Sequence, residues 1–210
     1  MYKRIFCFGD SNTWGYIPKT GMRYPYEKRW TGILQKMLGD KTIVLEEGLN
    51  SRTTNIDDPM HEGKNGKTVL IPLLLHHNPI DIVILFLGTN DMKQRFHRTP
   101  ASVAQGIESL LLDIQLHART FSGEQSQVLL ICPPIIDESV SGVAEKYLGA
   151  EEKSTQLPQM YEKLSQKYKT LYLNLQEFVK PSKKDGYHLE EDAHMNVAKR
   201  ILRIIRCLPK

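Results

Sequence analysis

An α/β domain on a parallel sheet is the fold class this sequence predicts, and two observations predict it. Short apolar runs, rich in β-branched and aromatic residues, recur at 3–8, 42–46, 81–87, 127–132 and 170–175, with helical patterns between them. Alternation of this kind along a whole chain implies strand–helix–strand units with right-handed crossovers. The third run, Ile82-Val83-Ile84-Leu85-Phe86-Leu87, is apolar at every position, which suits a strand covered on both faces.

The elements follow in order. The first run leads directly into the polar turn Gly9-Asp10-Ser11-Asn12-Thr13-Trp14-Gly15, which precedes a helical start. Residues 30–38 place Trp30, Ile33, Leu34, Met37 and Leu38 on one helical face. The second run is followed by a polar segment, 50–65, with little periodicity. The apolar stretch 69–75 is interrupted by Pro72 and is too short to cross a bilayer, which needs about 20 residues. Thr99-Pro100 supplies an N-cap and a proline at the first helical position. The helix it opens carries Val103, Ile107, Leu110, Leu111 and Ile114. A second polar connection, 137–154, follows the fourth run. Residues 158–169 predict a short helix, and 190–206 a last one with Ala193, Val197, Ile201 and Ile204/Ile205 at i, i+4 spacing. Both polar connections are long for a compact domain, and long ordered loops are often functional. No repeat, low-complexity stretch or linker divides the chain, so 1–210 is expected to be one domain.

Composition excludes several classes. Hydrophobic residues make up 40% of the 210 and the net charge is +4, which argues against disorder. Residues 199–210 hold Lys199, Arg200, Arg203, Arg206, Lys210 and no acids, so they contribute five positive charges and leave the rest slightly negative. Glu190, Glu191 and Asp192 open the same helix, so the charge follows the helix macrodipole and calls for no acidic partner. No basic stripe with interleaved aromatics points to nucleic acid. Cys7, Cys132 and Cys207 are odd in number, far apart and without CxxC spacing. They predict no metal site, no disulfide framework and a reducing compartment, each cysteine being a small buried hydrophobe. With no leader-like apolar segment, a cytoplasmic protein that binds no membrane is expected.

Ligands of a doubly wound sheet bind at the carboxyl ends of the strands. The polar turns there are Gly9–Gly15, then Gly48-Leu49-Asn50-Ser51-Arg52-Thr53-Thr54, then Gly88-Thr89-Asn90-Asp91, with Asp185-Gly186-Tyr187-His188 before the last helix. A serine hydrolase needs a nucleophile, a base, an acid to orient the base, and oxyanion donors. Ser11 at a helix start, His188 three residues after Asp185, and the Asn90 amide fill those roles. Each also has a plain reading: Ser11 as a helix cap, Asp185 and Asn90 as turn residues, His188 as a helix-start histidine. His194, inside the last helix, competes as base. Asp10 serves as an acceptor that ties its loop together rather than as the acid, and Trp14 either lines the acyl pocket or packs in the core; both are carried as candidate substrate contacts. No GxGxxG follows a strand and no GxxxxGK[ST] occurs, which disfavours a nucleotide-binding module.

Gly9-Asp10-Ser11, Gly88-Thr89-Asn90-Asp91 and Asp185-Gly186-Tyr187-His188-Leu189, in this order at strand ends, resemble the SGNH, or GDSL, hydrolases. That resemblance implies a three-layer α/β/α fold with a flavodoxin-like five-stranded parallel sheet. It implies Ser11 as nucleophile, Asp185 and His188 as acid and base, and Asn90 with the Ser11 N–H as oxyanion donors. No metal or organic cofactor is implied. The runs Arg52-Thr53-Thr54-Asn55-Ile56-Asp57-Asp58-Pro59, Leu87–Lys93 and Phe96-His97-Arg98-Thr99-Pro100 resemble the mycobacterial aryl esterase/acyltransferase branch. That branch implies a homo-oligomer and acyl transfer to alcohols beside hydrolysis of small esters. The family generally has a glycine as its second-block donor. Ser51 holds that position here and is assigned the donor N–H, with Gly48 the remaining alternative. The expected function is a serine esterase for short-chain acyl or aryl esters, with carbohydrate O-acetylesterase as the alternative.

Overall fold

The computed structural model describes residues 3–208; Met1 and Tyr2, and Lys210 of the basic cluster, lie outside them. Five parallel strands form one sheet: β1 (Lys3–Gly9), β2 (Thr42–Gly48), β3 (Ile82–Phe86), β4 (Gln127–Cys132) and β5 (Leu171–Asn174), in the order β2-β1-β3-β4-β5. Seven helices connect or flank them: α1 (Ser11–Trp14), α2 (Trp30–Leu38), α3 (Gly66–His77), α4 (Pro100–His117), α5 (Ala144–Tyr147), α6 (Ala150–Tyr168) and α7 (Glu191–Arg206). All five predicted runs are strands, and the sheet is parallel throughout as expected.

The two-residue period of β1 divides the core. Phe6 and Phe8 face Leu70 and Leu74 of α3, Ile107 and Leu110 of α4, and Leu157 and Tyr161 of α6. Ile5 and Cys7 face the other way, toward Trp30 and Leu34 of α2 and Val197 and Ile201 of α7. This gives three layers, with the sheet between two sets of helices. Cys7 and Cys132 are buried as expected, whereas Cys207 is exposed just beyond α7. Among the described residues no helix is long and apolar enough to cross a membrane.

Three helices, α3, α5 and α6, depart from the sequence expectation, and proline bears on two of them. α3 forms over a stretch to which the sequence assigns no element, and it carries Pro72 in its interior. An interior proline costs about 3 kcal/mol, but burying Leu70 and Leu74 completely contributes roughly 1.5–3 kcal/mol each. α6 was expected to begin at Pro158 and instead begins at Ala150. Pro158 has no N–H for the Ser154 carbonyl, and the Gln176 side-chain amide donates to that carbonyl instead, at 2.9 Å. The connection 137–154 is therefore partly helical, and its α5 carries Tyr147 into the interior.

Strand register sets the level of the site. Gly9 pairs with Gly48 on one side and Phe86 on the other, so three polar turns leave the sheet at one height. A Cβ at Gly9 would lie 2.0 Å from Thr13 Oγ1 and 2.8 Å from the Phe86 carbonyl, so only glycine lets the chain turn this tightly.

Candidate active site

Asp10 follows β1 and caps the turn that presents Ser11: its Oδ1 accepts the Asn12 N–H at 2.9 Å. α1 is one turn long and Asp10 accepts the Asn12, Thr13 and Trp14 N–H groups, so the positive helix end expected near Ser11 reduces to the Ser11 amide itself. The second turn is braced from below. Arg52 Nη1 donates to the Gly9 carbonyl at 2.9 Å and to the Glu47 carbonyl, with its guanidinium 4.1 Å over the Phe8 ring. The Thr54 N–H and hydroxyl both donate to Asp91, which also pairs with Arg98 at 2.9 Å. The Arg52–Asn55 run is thus a set of struts joining the second turn to β1 and to the turn after β3.

These struts hold Ser51 at φ +66°, the left-handed region that glycine favours. That explains why a glycine suits the position and how a serine fills it without losing the backbone donor. Ser51 N–H and Ser11 N–H form no intramolecular hydrogen bond among the described residues. Asn90 Nδ2 donates to the Arg52 carbonyl at 3.1 Å, and its Oδ1 accepts from Tyr147 at 3.4 Å. A side-chain amide has two N–H groups, so one remains for the cleft that Ser11, Ser51 and Asn90 all line. Gly48 packs against the α1 turn, where a Cβ would meet the Trp14 backbone nitrogen at 2.2 Å, and it does not line the cleft.

Across the cleft, His188 Nε2 lies 2.8 Å from Ser11 Oγ and His188 Nδ1 lies 2.7 Å from Asp185 Oδ2. All three residues are buried. With Nδ1–H donating to the carboxylate, Nε2 presents its lone pair to the Ser11 hydroxyl. Burial pushes the Asp185 carboxyl up, but hydrogen bonds from the His188 ring and the N–H groups of His188 and Tyr187 outweigh it, leaving the carboxyl below its usual range. Asn12 brackets the histidine: its Nδ2 donates to the Tyr187 carbonyl at 3.2 Å and its Oδ1 accepts the Leu189 N–H at 3.0 Å. The Tyr16 ring stacks on His188 with centroids 4.4 Å apart.

The structure separates the remaining candidates. Asp10 is fully buried, outside the cleft lining, and burial raises it to about 7. Its place is that of an acceptor within its own loop rather than of a group lining the cleft. Trp14 is half-buried behind Tyr16 and under Arg23, likewise outside the cleft lining. His194 Nδ1 accepts the Trp30 N–H at 3.3 Å, and burial lowers the imidazole to about 3. It faces the α2 layer, not Ser11. The cleft, about 190 Å³, adds residues that sequence reasoning missed: Tyr16, Lys93, Tyr147 and Tyr187 among them. Tyr16 and Tyr187 sit beside motif residues, which was the one available signal; Tyr147 reaches the site only through the unexpected α5.

The fold places this chain among known structures. A carbohydrate acetylesterase from Sinorhizobium meliloti is 35% identical, with a TM-score of 0.92 over 99% of this chain and 100% of that one. The M. smegmatis aryl esterase is 34% identical, again with a TM-score of 0.92 and coverage of 99% and 100%. No curated protein sequence matches the chain. Residues 7–198 match the GDSL-like Lipase/Acylhydrolase family. The chain therefore belongs to that family of serine ester hydrolases.

Proposed function

We propose that the protein hydrolyses small esters through an acyl-enzyme on Ser11, and the observation that carries the reading is the hydrogen-bonded chain Ser11–His188–Asp185. Ser11 Oγ attacks the ester carbonyl as His188 Nε2 takes its proton. Asp185 fixes the imidazole tautomer and stabilises the imidazolium. The N–H groups of Ser11 and Ser51 and the Asn90 amide receive the oxyanion. Collapse breaks the bond to the alcohol, which leaves with the proton from His188. Water, activated by the same nitrogen, releases the acid and restores Ser11. The small cleft supports short acyl or compact aryl groups. Turnover of p-nitrophenyl acetate tests the reading: it should disappear in Ser11→Ala, and full activity there would reject it.

Acyl transfer to alcohols belongs to the same proposal, since an alcohol that displaces water from the cleft resolves the acyl-enzyme as an ester. Ester exchange in aqueous alcohol measures it; free acid alone would reject it. Sugar acetates are the second reading, supported by the Tyr16 and Tyr187 rings in the cleft and by the acetylesterase likeness. A panel of sugar and aryl acetates separates the two. A cytoplasmic homo-oligomer completes the proposal. Exposed Leu75 on α3, Leu112 and Leu116 on α4, and Phe121 supply apolar surface for such a contact; light scattering tests it.

A further inference from the structure

Three of the residues lining the cleft are cations, Lys93, Arg95 and Lys146, and none is a carboxylate. Lys93 is the unusual one. It is only 7% exposed, and its Nζ has a single hydrogen-bond partner among the described residues, the neutral Ser51 hydroxyl at 3.4 Å. Asp58 pairs with Arg95 at 2.5 Å and acts on Lys93 only without direct contact. Arg95 keeps an unpartnered buried Nε, so the paired guanidinium is not saturated either. Lys146 stands exposed at the rim on α5.

A buried ammonium without a counter-ion is costly, and proteins pair such charges or neutralise them. Burial and the neighbouring Arg95, with a smaller effect of Lys146, lower Lys93 to about 8, while Asp58 and Asp10 only partly offset them. The cleft is open to ligand beside it, and among the described residues no acid pairs with it directly.

We infer that the cleft takes an ester bearing an anionic group, supplied by a carboxylate, and that Lys93 is the counter-ion this group finds on binding. The inference rests on the proposal that Ser11 works on esters. It makes Lys93 a specificity-determining residue: the substrate charge satisfies donors that the protein leaves open, and a neutral ester of equal size leaves them unpaired.

The test compares kcat/KM within two pairs of esters. Mono-p-nitrophenyl glutarate against p-nitrophenyl valerate places the charge on the acyl side. 3-Acetoxybenzoate against its methyl ester places it on the alcohol side. At least one charged ester should be preferred by about tenfold or more, the factor that one charge-assisted hydrogen bond supplies. Lys93→Met should remove that preference and Lys93→Arg should retain most of it. Preference for neither charged ester, or a preference that survives Lys93→Met, overturns the inference. Wild-type protein gives a second measure that needs no variant: glutarate should inhibit p-nitrophenyl acetate hydrolysis more strongly than glutaramide, and equal inhibition overturns the inference. Hydrolysis of p-nitrophenyl acetate without any charge preference rejects this inference alone; absence of Ser11-dependent hydrolysis rejects the ester reading beneath it.

Discussion

Replacing Asn90 with alanine separates its two jobs, bracing a turn and donating to an oxyanion. In the folded chain its amide gives one N–H to the Arg52 carbonyl at 3.1 Å and accepts from Tyr147 at 3.4 Å. Those two bonds are each worth about 1 kcal/mol net, so the variant should lose about 1–2 kcal/mol of stability. For a chain of this size that lowers Tm by roughly 2–8 °C. In the proposed mechanism the second N–H acts only as negative charge develops on the carbonyl oxygen. Losing one such donor costs about 2.7–4 kcal/mol, or roughly 100- to 1000-fold in kcat. KM should stay near the wild-type value, because the donor favours the transition state over bound substrate. Steady-state hydrolysis of p-nitrophenyl acetate well below the variant's Tm, beside a thermal melt, reads both effects. A folded Asn90→Ala protein with the expected drop in Tm but kcat within tenfold of wild type would make Asn90 a strut and nothing more.

Four further outcomes are expected. Asn12→Ala releases the segment on both sides of His188; kcat should fall about tenfold or more through misplacement of the base, and unchanged kcat would show that the turn holds itself. Ser51→Gly should retain activity, because the donor is the backbone N–H, while Ser51→Val, β-branched at φ +66°, should lower Tm; inactivity in the glycine variant would point to the hydroxyl instead. Gln176→Ala should cost about 1–3 kcal/mol by leaving the Ser154 carbonyl without its donor, and an unchanged Tm would refute that account of Pro158. Asp10 concerns pH. Burial raises it to about 7 from an ordinary 3.8. Between these values the folded state keeps a proton that the unfolded chain has released, so stability falls as pH rises through that window, by up to about 4 kcal/mol. Asp10→Asn, which keeps the Oδ1 acceptor, should flatten the dependence of Tm on pH from about 4 to 7; an unaltered slope would contradict the assignment.

What was legible in the residues follows from what is local. Short apolar runs rich in β-branched and aromatic residues marked all five strands, and Thr99-Pro100 marked the start of α4 within the chain segment that forms it. Ser11, Asp185, His188 and Asn90 could be named because each sits in a short motif at a strand or helix boundary. What was not legible depends on contacts between distant segments. Nothing near Pro158 announces that Gln176 will take up the Ser154 carbonyl, and α3 survives Pro72 only because Leu70 and Leu74 meet the sheet. The cleft wall is hidden for the same reason. Lys93 and Lys146 belong to different segments and meet only around Tyr147 and Asn90. Asp10 and His194 lie buried away from the cleft lining, a depth that residue type alone does not reveal.

The central claim is that Ser11 is the group that becomes acylated. The most direct measurement is the mass of the protein after incubation with a fluorophosphonate, followed by peptide mapping. A single adduct is expected on the peptide carrying Ser11, absent in Ser11→Ala and slowed in His188→Ala. An unmodified protein, or an adduct on another residue with Ser11 free, would contradict it.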